Sequence, residues 1–193
     1  MMQDLCIIVP MKRLAEAKSR LGERLSPIRR QHFAAAMLHR VLQVCLAVVK
    51  AKDICLVSAD EELLVRADTA GLQAIRDPST GGLNGALEAA RRHAAAQGYI
   101  RGLVLPADLP RLTPHAITDL LAERGPALVP DRNGRGTNAL LLDPLLNGEL
   151  AFGTNSCRRH REIFGDSLRI VEHPLVALDV DVPEDIGAWL RAI

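Results

Sequence analysis

The sequence predicts an α/β fold, a three-layer α/β/α sandwich around a mostly parallel sheet. Two observations lead there. Apolar runs of strand length, such as Leu5-Cys6-Ile7-Ile8-Val9, Ile54-Cys55-Leu56-Val57 and Gly102-Leu103-Val104-Leu105, alternate with segments of helical period. The runs also lack the apolar–polar alternation of a half-exposed strand, which fits strands covered by helices on both faces.

The elements follow in order. After the first strand, Ser26 supplies an N-cap and Pro27 the first helical position. Phe33, Met37, Val41 and Cys45 then recur every fourth residue, flanked by Ala34, Leu38 and Leu42, as the buried stripe of a helix. The run 54–57 is a second strand. Asp60-Glu61-Glu62 places acid at the positive end of the next helix, which Gly71 closes. Leu72–Ile75 is a third strand and Asn84 to Gln97 a third helix. The run 102–105 is a fourth strand, and Thr113-Pro114 starts another helix. Ala127–Val129, Asn138–Leu142 and Leu168–Val171 read as strands, then Leu175–Val180 and a helix from Pro183 finish the chain. No repeat, linker or low-complexity tract interrupts the pattern, so residues 1–193 are expected to form a single domain.

Composition narrows the function. Apolar residues make up 48% of the chain, enough for a core without disulfides. A net charge of +1 argues against a nucleic-acid coat, and 3% aromatics against stacking platforms for single strands. Cys6, Cys45, Cys55 and Cys157 form no C-x-x-C pair, and three of them lie in apolar runs. Buried thiols, no zinc and a reducing cytoplasm are expected. No apolar stretch is long enough to span a membrane, and Met1-Met2-Gln3-Asp4 does not read as a signal peptide.

Chemistry concentrates at a few places. The first strand empties into Pro10-Met11-Lys12-Arg13, with Lys18 and Arg20 close behind. In open parallel sheets ligands sit beyond the carboxyl ends of the strands, so these four cations suit a polyanion such as a nucleoside triphosphate. Neither G-x-G-x-x-G nor G-x-x-x-x-G-K-[ST] occurs here, and side-chain charge would replace the backbone cradle. The bland alternative is a solvated basic loop.

Asp108 follows the fourth strand in Leu105-Pro106-Ala107-Asp108-Leu109-Pro110. Asp179 and Asp181 are two residues apart, a spacing that on a strand points both carboxylates to one face. Three hard carboxylates could converge on Mg²⁺, which commonly takes one or two of them together with substrate phosphates. Otherwise Asp108 is a turn former and Asp181 an N-cap. Gly136-Thr137, in a polar loop of a hairpin or crossover, permits close approach to an anion. Ser156, after Phe152-Gly153-Thr154-Asn155, could be a helix cap or an anion ligand, and both roles can coexist. Gly81-Gly82-Leu83-Asn84-Gly85 could let a ring or ribose lie against the backbone, or form a simple tight turn. The six histidines, His32, His39, His93, His115, His160 and His173, show no metal spacing and read mostly as surface residues. Cys157 is weighed as a reactive thiol, and no G-x-S-x-G elbow supports a serine hydrolase.

Together these segments resemble a known family. Val9-Pro10-Met11-Lys12 through Lys18-Ser19-Arg20-Leu21 looks like the opening motif of the CofC/FbiD guanylyltransferases of coenzyme F420 biosynthesis. Gly82-Leu83-Asn84, Leu105–Pro110, Gly136–Leu140, Phe152-Gly153-x-x-Ser156 and Leu178-Asp179-x-Asp181-x-Pro183-Glu184-Asp185 match in the same order. Val182 and Met11 depart from the residues common in that pattern, and neither removes a proposed ligand.

The resemblance implies a nucleotide-diphospho-sugar-transferase-like fold. It also implies a reaction joining GTP to 2-phospho-L-lactate, phosphoenolpyruvate or 3-phospho-D-glycerate with release of pyrophosphate. Asp108, Asp179 and Asp181 would hold Mg²⁺, while Thr137, Gly153 and Ser156 would hold the phosphorylated acid. Pro10, Lys12, Lys18, Arg20, Gly82 and Asn84 would bind the nucleotide, with Lys12, Lys18, Arg20 and Asp108 carrying the catalysis. Arg13 is the weaker cation. The rivals are a molybdenum-cofactor-type nucleotidyltransferase, which would want a glycine-rich first loop, and a non-catalytic nucleotide-sensing module. No nucleic-acid or membrane partner is expected. An exposed helix face could support a homodimer.

Overall fold

The computed structural model describes residues 4–78 and 80–190. The start of the segment read above for a signal peptide, Met1 to Gln3, lies outside them. The described residues form a seven-stranded sheet with helices on both faces, as the apolar runs predict. In chain order the elements are β1 (Leu5–Met11), α1 (Pro27–Leu46), β2 (Ile54–Ser58), α2 (Glu61–Thr69), β3 (Gln73–Arg76), α3 (Gly82–Ala96) and β4 (Arg101–Val104). They continue with α4 (Pro114–Leu121), β5 (Ala127–Pro130), β6 (Thr137–Leu142), α5 (Ser156–Phe164), β7 (Arg169–Ile170) and α6 (Ile186–Leu190).

The sheet order is β3-β2-β1-β4-β6-β5-β7. β1 pairs in parallel with β2 and β4, β2 with β3, and β5 with β7, while β6 runs antiparallel to β4 and β5. The reversal of β6 matters for function. A strand running the other way begins at the edge where β1 and β4 end, so Thr137 and Asn138 start beside the loops that carry Lys18 and Asp108. The polar segment 131–136 is therefore the turn of a β5–β6 hairpin.

Alternation along β1 divides the core into two layers, because successive strand side chains point to opposite faces. Ile7 and Val9 pack with Leu38, Val41 and Cys45 of α1, Leu63 and Ala67 of α2, and Ile117 and Leu120 of α4. Cys6 and Ile8 pack with Ala86, Leu87 and Ala90 of α3 and with Cys157 and Phe164 of α5. All four cysteines are free and buried. Cys157, at 2% exposure, is core and not a reactive surface thiol.

The helix starts fall as predicted: Ser26 is the expected N-cap of α1, and Asp60 and Thr113 also accept backbone N–H groups at the starts of α2 and α4. Several details differ. The predicted stripe of α1 is shared between two partners. Leu38, Val41 and Cys45 face the sheet, whereas Met37, with Phe33 beside it, covers Val180 and Trp189. The Phe33 and Trp189 rings meet edge to face at 5.6 Å. α3 begins at Gly82, two residues early, and β7 keeps only two residues of the predicted Leu168–Val171 strand.

The segment 175–181 is not a strand. Val176 and Ala177 N–H both turn back to the His173 carbonyl, and the chain then runs irregularly to the turn at Pro183. It is anchored by two fully buried side chains, Val176 in the main core and Val180 against Met37 and Trp189.

Candidate active site

The carboxyl edge of the sheet gathers two groups of polar side chains. The first forms around Lys18. Past β1 the chain makes two short 3-10 turns, Leu14–Glu16 and Ser19–Leu21, pinned where Leu14 N–H donates to Asp60 Oδ2 at 3.0 Å. Lys18 lies between them in the left-handed region (φ 54°), a conformation that costs a side-chain-bearing residue on the order of 1 kcal/mol. Its Nζ is 2.5 Å from Asp108 Oδ2, 2.6 Å from the Val180 carbonyl and 3.4 Å from Asp181 Oδ1. Val180 N–H in turn donates to the Asp108 carbonyl at 3.1 Å, stitching the two acidic segments together.

Electrostatics in this cluster are unbalanced. Burial opposes the Lys18 charge, but Asp108, and behind it Asp181, outweigh that and raise its pKa above the ordinary value. Burial also pushes the Asp179 carboxyl up to about 6, with the like charges of Asp108 and Asp181 adding to it. Asp108 Oδ1 is buried and has no hydrogen-bond partner. A buried, unpaired carboxylate oxygen is costly and signals an absent donor or cation. Arg20 reaches Asp181 only at 3.4 Å, from an exposed position. Lys12 and Arg13 are exposed and Pro10 is half-buried at the end of β1.

Asp185 fixes the placement of Asp181. Its Oδ2 accepts the N–H groups of Asp181 (2.9 Å) and Val182 (3.1 Å). Its Oδ1 pairs at 2.5 Å with Arg132, which reaches over from the β5–β6 turn. Burial alone would raise the Asp185 pKa, yet Arg132 and the two N–H donors bring it below the usual carboxylate value. Asp181 is thus held by Asp185 rather than acting as the cap considered above.

The second group is neutral and fully buried. The Ser156 hydroxyl lies 3.0 Å from Thr137 Oγ1, and Thr137 Oγ1 lies 3.1 Å from His160 Nδ1. Ala151 N–H donates to His160 Nε2 at 3.0 Å. Ser156 opens α5, but its hydroxyl turns to Thr137 and does not cap the helix. Gly153 has φ +106°, which a side chain would strain. The Asn84 amide holds this loop from α3, donating to the Phe152 carbonyl at 3.2 Å and accepting Phe152 N–H at 2.8 Å. At the start of the same helix Gly82 is exposed, and a Cβ on Gly85 would lie 1.9 Å from the Thr80 carbonyl oxygen.

Asn138 joins the two groups. Successive β6 residues face opposite ways, so Thr137 turns to α5 while Asn138 donates to the Val176 carbonyl (3.0 Å) and approaches Asp179 Oδ1 (3.5 Å).

The structure therefore brings Lys18, Asp108 and Asp181 into direct contact, with Asp179 beside them and Arg20 at the rim. It joins Thr137 to Ser156 and ties Asn84 to the Gly153 loop. Among the described residues no hydrogen bond or ion pair ties Lys12 or Pro10 to either group, and Lys12 is exposed. Four residues were missed by sequence reasoning: Asn138, Arg132, Asp185 as a brace, and His160. His160 is completely buried, unlike the mostly surface histidines expected. Its signal was available, since it lies four residues after Ser156 and shares its helix face.

The family model described as "Guanylyl transferase CofC like" matches residues 5–190. The chain belongs to that family. A phosphoenolpyruvate guanylyltransferase of Rubrobacter xylanophilus is 40% identical over 93% of this chain and 90% of its own length. One from Sphaerobacter thermophilus is 39% identical over 93% and 89%. A 2-phospho-L-lactate guanylyltransferase of Methanothermobacter thermautotrophicus is 34% identical over 94% and 82%. Among solved structures, a nucleotidyl transferase from that archaeon superposes with TM-score 0.65 at 15% identity, covering 98% of this chain and 99% of its own. CMP:2-keto-3-deoxy-manno-octonic acid synthetase, complexed with CTP, gives 0.64 at 14% identity, covering 98% and 97%. These two share the fold, the one predicted from alternating runs and resemblance.

Proposed function

We propose that this chain is a Mg²⁺-dependent guanylyltransferase of the cytoplasm, one nucleotidyltransferase domain working toward coenzyme F420. It joins GTP to a small phosphorylated carboxylic acid, namely phosphoenolpyruvate, 2-phospho-L-lactate or 3-phospho-D-glycerate. The observation that carries the reading is one sheet edge holding both a carboxylate–lysine cluster and, joined to it through Thr137-Asn138, a pair of buried hydroxyls. Such an edge suits two anionic substrates that must be brought together. The relatives, phosphoenolpyruvate and 2-phospho-L-lactate guanylyltransferases by name, point to the same two kinds of substrate.

Nucleophile and leaving group need little from the protein. The acceptor's phosphate oxygen is already anionic near neutral pH, so it attacks the α-phosphorus of GTP without a strong base. The bond from that phosphorus to the bridging oxygen breaks, and pyrophosphate departs with its electron pair. The work left to this chain is positioning and charge neutralisation.

Among the described residues no three His, Cys, Asp or Glu side chains are already spaced to hold a metal ion. Asp108 with Asp179 or Asp181 suffices, because Mg²⁺ takes much of its shell from phosphates and water. The unpaired Asp108 Oδ1 and the mutual repulsion felt by Asp179 support that fit. When bound, the ion would neutralise both substrates and stabilise the charge developing in the transfer. Lys18 now serves as the counter-charge of Asp108. With Asp108 engaged by the ion, the Lys18 ammonium would be free for the triphosphate, and Arg20 and Lys12 at the rim would receive the departing pyrophosphate. Thr137, Ser156 and the Gly153 backbone hold the acceptor. Gly82, Asn84 and Pro10 flank the nucleotide.

Pyrophosphate release from GTP and Mg²⁺ with each of the three acids tests the proposal. Turnover with one or more supports it, and none with any, despite measurable GTP binding, overturns it.

A further inference from the structure

The polarity of the Thr137–Ser156 pair is set by His160. An imidazole nitrogen that accepts a backbone N–H carries no proton, so Ala151 fixes Nε2 as bare. The ring is fully buried between Phe152 and Phe164, with centroids at 5.0 and 6.3 Å, and burial, with Arg159 adding, lowers its pKa to about 4. A neutral ring with a bare Nε2 holds its proton on Nδ1, which faces Thr137 Oγ1 at 3.1 Å.

Proton counting gives the consequence. With Nδ1–H donating into Thr137 Oγ1, one hydroxyl proton closes the Thr137–Ser156 contact and the other is left to point out of the trio. With the opposite tautomer, Thr137 would donate into Nδ1 and Ser156 into Thr137, and the pair would offer only lone pairs. Phosphate and carboxylate oxygens need donors.

We infer that His160 is a positioning residue for the acceptor acid: held by Ala151 N–H, it turns the Thr137–Ser156 pair into a hydrogen-bond donor toward the acid's anionic group. The inference rests on the guanylyltransferase reading and adds a specificity residue to it.

Two conservative variants separate this role from packing. Asparagine places its amide near the Nδ1 position and can still donate to Thr137. Glutamine places it near Nε2, keeping the bond to Ala151 and losing the donor. In His160→Asn the acceptor KM stays within about threefold of wild type, whereas in His160→Gln, where nothing orients the Thr137 hydroxyl and its proton is free to turn away from the acid, it rises about tenfold or more. The GTP KM stays within about twofold in both. Equal acceptor KM values in the two variants overturn the inference. Ring ¹⁵N NMR of the wild-type protein needs no variant to fold, and a proton found on Nε2 of His160 also overturns it. Wild-type turnover with an unchanged acceptor KM in His160→Gln defeats this inference alone. Absence of wild-type turnover with every acid defeats the guanylyl-transfer reading, and the acceptor partner assigned to the trio with it.

Discussion

The two halves of the site are built on opposite principles. The Thr137–Ser156–His160 trio is uncharged, buried and hydrogen-bonded through to the backbone, so its geometry exists before any ligand arrives. The cluster of Lys18, Asp108, Asp179 and Asp181 is charged and partly exposed, with a buried carboxylate oxygen unpaired and one carboxyl forced toward neutrality. A preformed pocket selects, because a wrong ligand leaves its buried polar groups unsatisfied. An unbalanced cluster recruits, because bringing in a cation relieves repulsion that folding has already built in. Under the proposed function, selectivity for the acceptor and the driving force for metal and triphosphate fall to different residues, joined through Thr137 and Asn138 of β6.

The largest effect should come from the recruiting side. Asp108→Asn keeps a hydrogen-bonding oxygen near Lys18 but loses the charge, and turnover should fall by at least about 100-fold. The melting temperature should move by only a few degrees. Near-wild-type activity would remove Asp108 from the metal site.

A smaller effect should follow from the brace behind Asp181. Arg132→Met strips Asp185 of its 2.5 Å partner and should cost about tenfold in kcat/KM and raise the Mg²⁺ concentration needed. The Asp185→Asn variant should do the same, and the double variant no worse than either alone. Additive losses would show that Arg132 and Asp185 act independently.

The smallest effect is on stability, and its sign distinguishes the halves. Asp179 at about 6 keeps its proton in the folded state where the unfolded carboxyl, near 3.8, has released it, so metal-free stability falls as pH rises through that window. His160 at about 4 refuses a proton that the unfolded ring accepts below 6.5, so its contribution is lost as pH falls from 6.5 to 4. Asp179→Asn should therefore be more stable than wild type above pH 6, by up to about 1 kcal/mol after solvent screening. The two should be alike below pH 4. Chemical denaturation of metal-free protein across that range reads this directly, and a destabilised variant at high pH would contradict the electrostatic account.

Sequence and structure agree best where one physical signal dominates. Unbroken apolar runs located β1, β2 and β4, and Ser26, Asp60 and Thr113 announced their helices, because caps are local chemistry. Asp108 was legible as a carboxylate at a loop position and Asp179 and Asp181 as a pair two residues apart, although the strand geometry expected to align that pair is absent. Val180, buried against Met37 and Trp189, seats the stretch between them while Asp185 holds Asp181, and no local pattern reports a contact from residue 180 back to 37. His160 was obscured for a related reason. Its meaning depends on Thr137, 23 residues away across the sheet, and on one backbone N–H at Ala151. Lys18 was expected on the triphosphate, while its pairing with Asp108 spans 90 residues and appears only in three dimensions.

Steady-state kinetics of Ser156→Ala and Asp108→Asn, with GTP and acceptor varied independently, tests the division of labour most directly. Ser156→Ala should raise the acceptor KM by about tenfold while leaving the GTP KM near wild type. Asp108→Asn should lower kcat while changing the acceptor KM by no more than about threefold. If both variants shift the same parameter by similar factors, recruitment and selection are not separate, and the account is wrong.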